Sequence, residues 1–593
     1  MTYQEKLARF RQEMANRKLD ALILFHTDPH QSEYLSKEWH IMPWLTGFTG
    51  STGTVVITQN EAGVWTDSRY FIQGEKELAE SGFDLMKLRI PHTPEYVEWL
   101  IEQLPKGGVI GVDGRLISIN RMEAYSKKFK EKGIELLDCG GFLQTHGGAE
   151  EVEHVFDHST VFTGKTREEK LQEIRGKMKE LGVQHHLLTT LDDIAWVLNL
   201  RGNDISYNPV FVSYALISLN LVYLFVDEKK IPLDLRNQLS DDSIHVLPYG
   251  EIKSYLSQLP EGESLFIDAG RVNWDLFKAI PEHVKVLRGK AFSTHLKGVK
   301  NEVEQRLIRE VMRRDGVALV KFFRWLEEAA DGEGISEYEA GLQLEVFRGM
   351  QLNYVGPSFN PIVGYRGNGA IVHYRAPELG SSQIVKEGLL LVDSGGQYLD
   401  GTTDITRTVA MGIPTPDEKR DFTLVLKGYI GLDQAIFPEG TKGYQLESMA
   451  RMPLWKHMKN YGHGTGHGVG FFLNVHEGPQ SLGQSASGGS AVPLEVGMLT
   501  SNEPGFYLEN KYGIRTENLV LCVEKGESEG YGKFLGFEAV TLFPIDLKLV
   551  EKSLLNQEEV DWLNTYHQQV WDHLSPALDF DEQIWLRNQC RQI

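Results

Sequence analysis

The spacing of apolar and polar positions changes rhythm several times along the chain. Residues 3–17 follow an amphipathic helical period, and the unbroken apolar run over 19–25 reads as a buried strand. After Trp44-Leu45-Thr46-Gly47-Phe48-Thr49-Gly50-Ser51, strands are expected over 53–58 and 63–66. The second leads into Asp67-Ser68-Arg69-Tyr70-Phe71. Strands and helices alternate through about Leu143, which predicts an α/β layer. The same grammar restarts with a charged helix over 166–181, a strand over 185–190 and a short helix over 191–198 that starts near Asp192-Asp193. Strands follow around 211–225. Helix, strand, then an Arg- or Gly-bearing turn occurs twice, so two related α/β domains are expected, 1–160 and 161–298. A linker is expected near 295–300. From Asn301 a long helix runs to about Ala330, with Val303, Leu307, Val311, Val317 and Leu319-Val320 at helical spacing. The third segment, 299–593, mixes strands with helices over 416–436 and 444–459. It closes on a helix over 556–571 with Gln557-Glu558-Glu559 in its first turn. Residues 485–490 are a Gly/Ser loop.

The length, 593 residues, suits three or four domains with substantial cores. A formal net charge of -21 argues against nucleic acid as a partner, because a phosphate backbone needs a basic face. It suits a soluble, self-repelling protein. Cys139, Cys522 and Cys590 are too few and too widely spaced for a zinc knuckle or a disulfide framework, so a reducing, cytoplasmic setting is expected. The N-terminus shows no apolar core of a signal peptide. The longest apolar stretch, 210–226, is interrupted by Ser213, Ser218 and Asn220. It reads as two strands and a turn, with no membrane span.

Chemistry concentrates in the last third. Asp393, Asp404, His467, Glu503 and Glu517 all stand in stretches unlike solvated surface. Asp393 ends an apolar run, and Asp404 sits in Gly401-Thr402-Thr403-Asp404-Ile405-Thr406-Arg407-Thr408. His467 lies in Gly462-His463-Gly464-Thr465-Gly466-His467-Gly468, Glu503 precedes Pro504-Gly505, and Glu517 follows Gly513-Ile514-Arg515-Thr516. Two strands joined through Ser394-Gly395-Gly396 would bring both Asp residues to one end of a sheet. A turn at Glu509-Asn510-Lys511 would do the same for the two Glu residues. At an effective dielectric near 20, each carboxylate pair ~4 Å apart repels by about 4 kcal/mol, so convergence calls for cations. Four carboxylates balance two divalent ions, and one imidazole adds a neutral ligand. That donor set suits Mn, Co, Zn or Fe. His463 and His467 have helical ligand spacing, but the glycines around them speak against a helix and for close backbone approach. His476 follows nine residues after His467, and His373 lies in Ala370-Ile371-Val372-His373-Tyr374.

These strings, with Val392-Asp393-Ser394-Gly395, Asn474-Val475-His476-Glu477-Gly478-Pro479 and Arg515-Thr516-Glu517, resemble the pita-bread metallopeptidases. Among them the chain is most similar to the long, three-domain aminopeptidase P (Xaa-Pro aminopeptidase) group. The first two thirds match by length, by Asp67-Ser68-Arg69-Tyr70-Phe71 and by Leu191-Asp192-Asp193-Ile194-Ala195-Trp196. The resemblance implies an α/β and α+β architecture, with two creatinase-like α/β domains followed by a pita-bread catalytic domain and a helical tail. It implies two divalent metal ions, Mn2+ first, with Zn2+ or Co2+ as alternatives. Asp393, Asp404 and Glu517 would hold one ion. Asp404, His467, Glu503 and Glu517 would hold the other. Activated solvent between the ions would be the nucleophile, with Glu503 as proton acceptor. His373 and His476 would steady the scissile carbonyl and the intermediate. His463, Val475, Tyr507 and Arg515 would line the proline pocket, His463 also counting among the catalytic groups. The implied substrates are peptides with proline at the second position, and the implied assembly is a homodimer.

Prolidase shares the ligands but cleaves Xaa-Pro dipeptides, and its chains are generally shorter. Methionine aminopeptidase shares the five ligands without two extra α/β domains. Creatinase-like enzymes keep the scaffold without this metal set. A non-catalytic module that binds peptides or histones would have lost ligands that this chain keeps.

Overall fold

The structure, a computed structural model, describes residues 1–90, 93–141, 153–332 and 334–593. Leu143, the expected end of the first α/β layer, lies outside the described residues. The chain packs as two units, Met1–His158 with Lys165–Ser293, and Ser159–Gly164 with Thr294–Ile593.

The first unit opens with helix α1 (Tyr3–Asn16), started by a Thr2–Glu5 capping box. Its first sheet contains β1 (Ala21–Phe25), β2 (Thr54–Thr58), β3 (Ala62–Thr66), β4 (Asp84–Lys87), β5 (Val109–Val112) and β6 (Glu135–Asp138), in the order β4-β3-β2-β1-β5-β6. The continuous apolar run of β1 is buried at every residue, as a central strand covered on both faces requires. The second sheet contains β7 (His185–Leu188), β8 (Ser213–Ser218), β9 (Val222–Val226), β10 (Ile244–Pro248), β11 (Ser264–Ile267) and β12 (Lys285–Arg288). Its order is β10-β9-β8-β7-β11-β12. Each sheet has a central strand paired antiparallel on one side and parallel on the other: β1 with β2 and β5, β7 with β8 and β11. The repeated grammar of the sequence is thus a repeated topology. Residues 213–226 form the expected hairpin, with Ile217 opposite Val222. Asn273 Nδ2 donates to Pro29 O (2.8 Å), and His30 Nε2 lies 3.0 Å from the Tyr249 hydroxyl, tying residues of the two α/β layers together.

The second unit is built around α2 (Glu302–Ala329), capped by Asn301 and Glu304. Helix α2 buries Ile308, Val311, Val317, Leu319, Val320, Phe322 and Leu326, and over 315–320 it is buried on every side. Helix α3 (Glu337–Gly349) follows, then strands β13 (Ile362–Tyr365), β14 (Leu389–Ser394) and β15 (Ile405–Ala410), a three-stranded antiparallel sheet with β14 central. Helices α4 (Pro416–Asp433) and α5 (Gly443–Trp455) pack together ahead of a second antiparallel sheet. That sheet holds β16 (Ile436–Pro438), β17 (Leu499–Asn502), β20 (Asn518–Ser528) and β21 (Gly532–Ala539). Between β17 and β20 stands the hairpin of β18 (Gly505–Leu508) and β19 (Tyr512–Arg515). The chain closes with α6 (Gln557–Leu574) and α7 (Phe580–Gln589).

Three expectations need correction. Residues 295–300 are no linker: a helix spans Phe292–Gly298, and Lys297 and Lys300 are buried against Glu477. Helix α4 ends at Asp433, because Ile436 turns away to pair with Gly536. Helix α5 ends at Trp455, and the chain then turns through Met458 at φ 56°. No described helix is long and apolar enough to cross a membrane.

Candidate metal centre and peptide pocket

Strand pairing places the two aspartates. Asp393 lies on β14 opposite Ile362 and Thr406. Asp404 stands two residues before Thr406, just ahead of β15, so both carboxylates come to the same end of the sheet. The two glutamates flank the β18–β19 hairpin: Glu503 precedes it and Glu517 follows it. The Glu517 backbone N–H donates to Thr406 O (3.1 Å) and the Thr406 hydroxyl donates to Glu517 Oε2 (2.6 Å), which joins the glutamate hairpin to the aspartate strand. Buried Arg407 fixes Glu517 from behind, donating to its carbonyl (2.6 Å), to Asn518 Oδ1 (2.8 Å) and to Phe543 O (2.7 Å).

His467 enters on the short strand Gly466–His467. Gly466 allows this approach, since a Cβ there would lie 1.9 Å from Ser501 O. The His467 N–H donates to Ser501 Oγ (2.9 Å), and Nδ1 lies 3.0 Å from Gly468 O. With Nδ1–H engaged there, the Nε2 lone pair faces the acids. Nε2 stands 3.6 Å from both Asp404 Oδ2 and Glu503 Oε1. Those separations are long for hydrogen bonds but close to what donors sharing one ion show, since ligands ~2.1 Å from a tetrahedral cation stand about 3.4 Å apart. One donor atom each from Asp404, His467 and Glu517 lies within 4.8 Å of the others.

The electrostatics point the same way. Asp404 is held well above the usual carboxylate range by burial, then by Asp393 and Glu503. Glu517 is raised by burial, then by Asp404, Glu503 and Asp393. Glu503 is pushed up to about 7, by burial first, with Arg515 opposing and Asp393 adding. Asp393 Oδ1 is buried and accepts no hydrogen bond from the described residues. An orphaned buried carboxylate oxygen beside mutually repelling acids is a site short of positive charge. The donor set fits a pair of divalent cations, with Asp393, Asp404, Glu517, Glu503 and His467 as the groups to hold them.

Beside this cluster runs a hydrogen-bonded row. Arg515 donates from Nη2 to Asp393 Oδ2 (2.6 Å), from Nη1 to the Tyr507 hydroxyl (2.6 Å) and from Nε to Thr406 Oγ1 (3.1 Å). The Tyr507 hydroxyl lies 2.8 Å from His463 Nε2. The His476 ring meets the His467 ring edge-on with centroids 4.3 Å apart. His373 sits half-buried in a turn next to Val372, whose carbonyl lies 3.4 Å from Arg515 Nη2. Val475 is placed differently: its side chain is fully buried and offers no surface to a ligand in this structure. Thr406, Ser501 and Arg407 escaped the sequence reading. For Thr406 and Arg407 the signal was a run of polar residues, 406–408, inside a buried strand, and Ser501 lies on another buried strand, Leu499–Asn502.

A buried multi-carboxylate pocket with one imidazole in the second unit is the donor set of a metal-dependent enzyme. Residues 6–145 and again 148–304 match the creatinase/prolidase N-terminal domain, 306–524 match metallopeptidase family M24, and 533–593 match the C-terminal region of that peptidase family. The chain belongs to metallopeptidase family M24. It is 38% identical to a probable Xaa-Pro aminopeptidase P of Paracoccidioides brasiliensis over 612 residues, covering 99% of each chain. It is also 38% identical to that of Laccaria bicolor, covering 99% of this chain and 93% of the relative. Among solved structures it is similar to the X-prolyl aminopeptidase of Caenorhabditis elegans, a cytosolic enzyme with a di-nuclear active site. The TM-score is 0.95, with 34% identity and all of both chains covered.

Proposed function

We propose that this chain is a metal-dependent aminopeptidase that hydrolyses the N-terminal Xaa-Pro bond of peptides. The observation that carries the reading is the convergence of Asp404, His467 and Glu517 beside the orphaned Asp393 oxygen, with the Arg515–Tyr507–His463 row alongside. Full-length similarity to Xaa-Pro aminopeptidases supports it. Two divalent ions at Asp393, Asp404, His467, Glu503 and Glu517, manganese by preference, would supply Lewis-acid polarisation and acidify water for attack. Glu503 takes the proton of the attacking water and passes it to the leaving proline nitrogen. His373 and His476 steady the scissile carbonyl as charge develops on its oxygen. Arg515 orients Tyr507, and Tyr507 with His463 forms the wall against which the proline ring packs. Proline has no amide hydrogen and a fixed φ, so a shaped, aromatic wall selects it where a backbone acceptor would not.

We further assign three domains, 1–160, 161–298 and 299–593, a homodimer as the working form, and the cytoplasm as its location. The nematode enzyme is cytosolic, which supports the last assignment. A peptide panel with metal analysis tests the whole reading. Ala-Pro-Ala should be cleaved at least ~10²-fold faster in kcat/KM than Ala-Ala-Ala, the factor that ~3 kcal/mol of complementarity gives. Preference for the dipeptide Ala-Pro would instead make the chain a prolidase, and equal rates on both tripeptides would make it a general aminopeptidase.

A further inference from the structure

The loop that carries His373 is held by a residue with no part in the site described above. Glu337 stands at the first position of α3, and its side chain is fully buried. Its Oε1 accepts from the Tyr365 backbone N–H (2.7 Å) and from Asn368 Nδ2 (3.0 Å). Its Oε2 accepts from the Tyr374 hydroxyl (2.8 Å), the Ser382 backbone N–H (2.9 Å) and Asn368 Nδ2 (3.1 Å). The Glu337 N–H in turn donates to Ser382 O (3.0 Å). A carboxylate offers about four lone-pair sites, so this one is saturated. Its donors stand at the start, middle and end of 365–382, and one of them, Tyr374, is the neighbour of His373.

The loop is also gripped from the other side. Gly513 on β19 has no room for a Cβ, which would stand 1.7 Å from Gly369 O. Arg515, on the same strand, reaches Val372 O. The loop is therefore clamped between Glu337 and the hairpin that bears Tyr507 and Arg515. Among the described residues Glu337 forms no ion pair, so neutral donors alone offset the cost of burying its charge. A neutral side chain would be cheaper to bury, and the charge is accounted for if the shape of the loop matters to the chemistry.

We propose that Glu337 is a positioning residue for peptide-bond cleavage, fixing His373 at the scissile carbonyl through Tyr374, Asn368 and the two backbone contacts. This rests on the reading of His373 given above. Glu337→Gln keeps the shape but aims an amide at donors. Outer contacts of this kind are typically worth about 10–100-fold. Kinetics on Ala-Pro-Ala with Mn2+ should show kcat down by about that factor, KM within about threefold and bound metal unchanged. In a His373→Ala background the same change should cost less than about threefold, because groups acting as one unit are not additive. Tyr374→Phe, which removes the hydrogen bond donated to Glu337 and the one accepted from Asn368 Nδ2, should lower kcat by about 3–10-fold in the native background and not at all beside His373→Ala. It carries the test if Glu337→Gln does not fold. Full kcat in the variants, an undiminished loss beside His373→Ala, or parallel loss of metal overturns the proposal alone. A His373→Ala protein as fast as the native one, or a native protein inert on Ala-Pro-Ala, overturns the underlying reading and the proposal with it.

Discussion

Arg515→Met tests the electrostatic design of the pocket. Arg515 is a buried cation acting on Asp393, Asp404 and Glu503, and it holds Asp393 at 2.6 Å. At that distance and an effective dielectric near 20, the gross attraction is about 6 kcal/mol. Desolvation offsets part of it, and truncating one partner of a buried pair typically costs about 3–5 kcal/mol. The metal-free variant should therefore be less stable than the metal-free native protein by that amount, roughly 10 °C in Tm. Divalent ions supply the positive charge that the variant lacks. Adding Mn2+ should therefore raise the variant's Tm more than that of the native protein. Arg515→Lys keeps the charge but cannot hold Asp393, Tyr507 and Thr406 at once, so it should fall between the two. Turnover of Ala-Pro-Ala should drop in both variants, since Tyr507 loses its orienting donor. The assay is thermal unfolding in chelator and across a Mn2+ titration. A metal-free Tm within about 1 °C of native, or a smaller Mn2+ response in Arg515→Met, would refute the reasoning.

Asp404→Ala should cut activity by orders of magnitude together with bound metal, read by elemental analysis; chelated native protein should behave alike and recover with Mn2+. His476→Ala should lower kcat while metal content holds, and loss of one metal equivalent would mean that His476 is a ligand. Acid should destabilise the second unit through His567, whose Nε2 accepts from the Ile545 N–H (3.0 Å) and whose pKa is lowered from 6.5 to about 3, chiefly by burial. The unfolded chain binds the extra proton below pH 6.5, so this stability is present above that pH and is lost as pH falls toward 3. Between pH 6.5 and about 5 the loss is roughly 2 kcal/mol, and denaturant melts of His567→Gln should lack that share of the slope.

Local pattern alone marked out much of this molecule. Helix α2 could be read to within a residue at each end, because its apolar stripe and its Asn301–Glu304 capping box are local. The buried run of β1 and the turn at Asn510 were legible for the same reason. The five side chains proposed to hold metal also stood out, since carboxylates among glycines and apolar runs are conspicuous in one dimension. Other features depend on partners far away in sequence. Lys297 and Lys300 look like a solvated linker until Glu477, 177 residues beyond Lys300, takes them into the core. An apolar Val475 suits a pocket wall and a core equally well, and only packing decided for the core. Glu337 is one acid among many in the chain. Its meaning comes from donors 28 to 45 residues away that fold back onto it. Sequence shows which groups can bond, because chemistry is local. Tertiary structure decides which of them meet, because closing long loops is worthwhile only where distant donors, acceptors and charges satisfy one another.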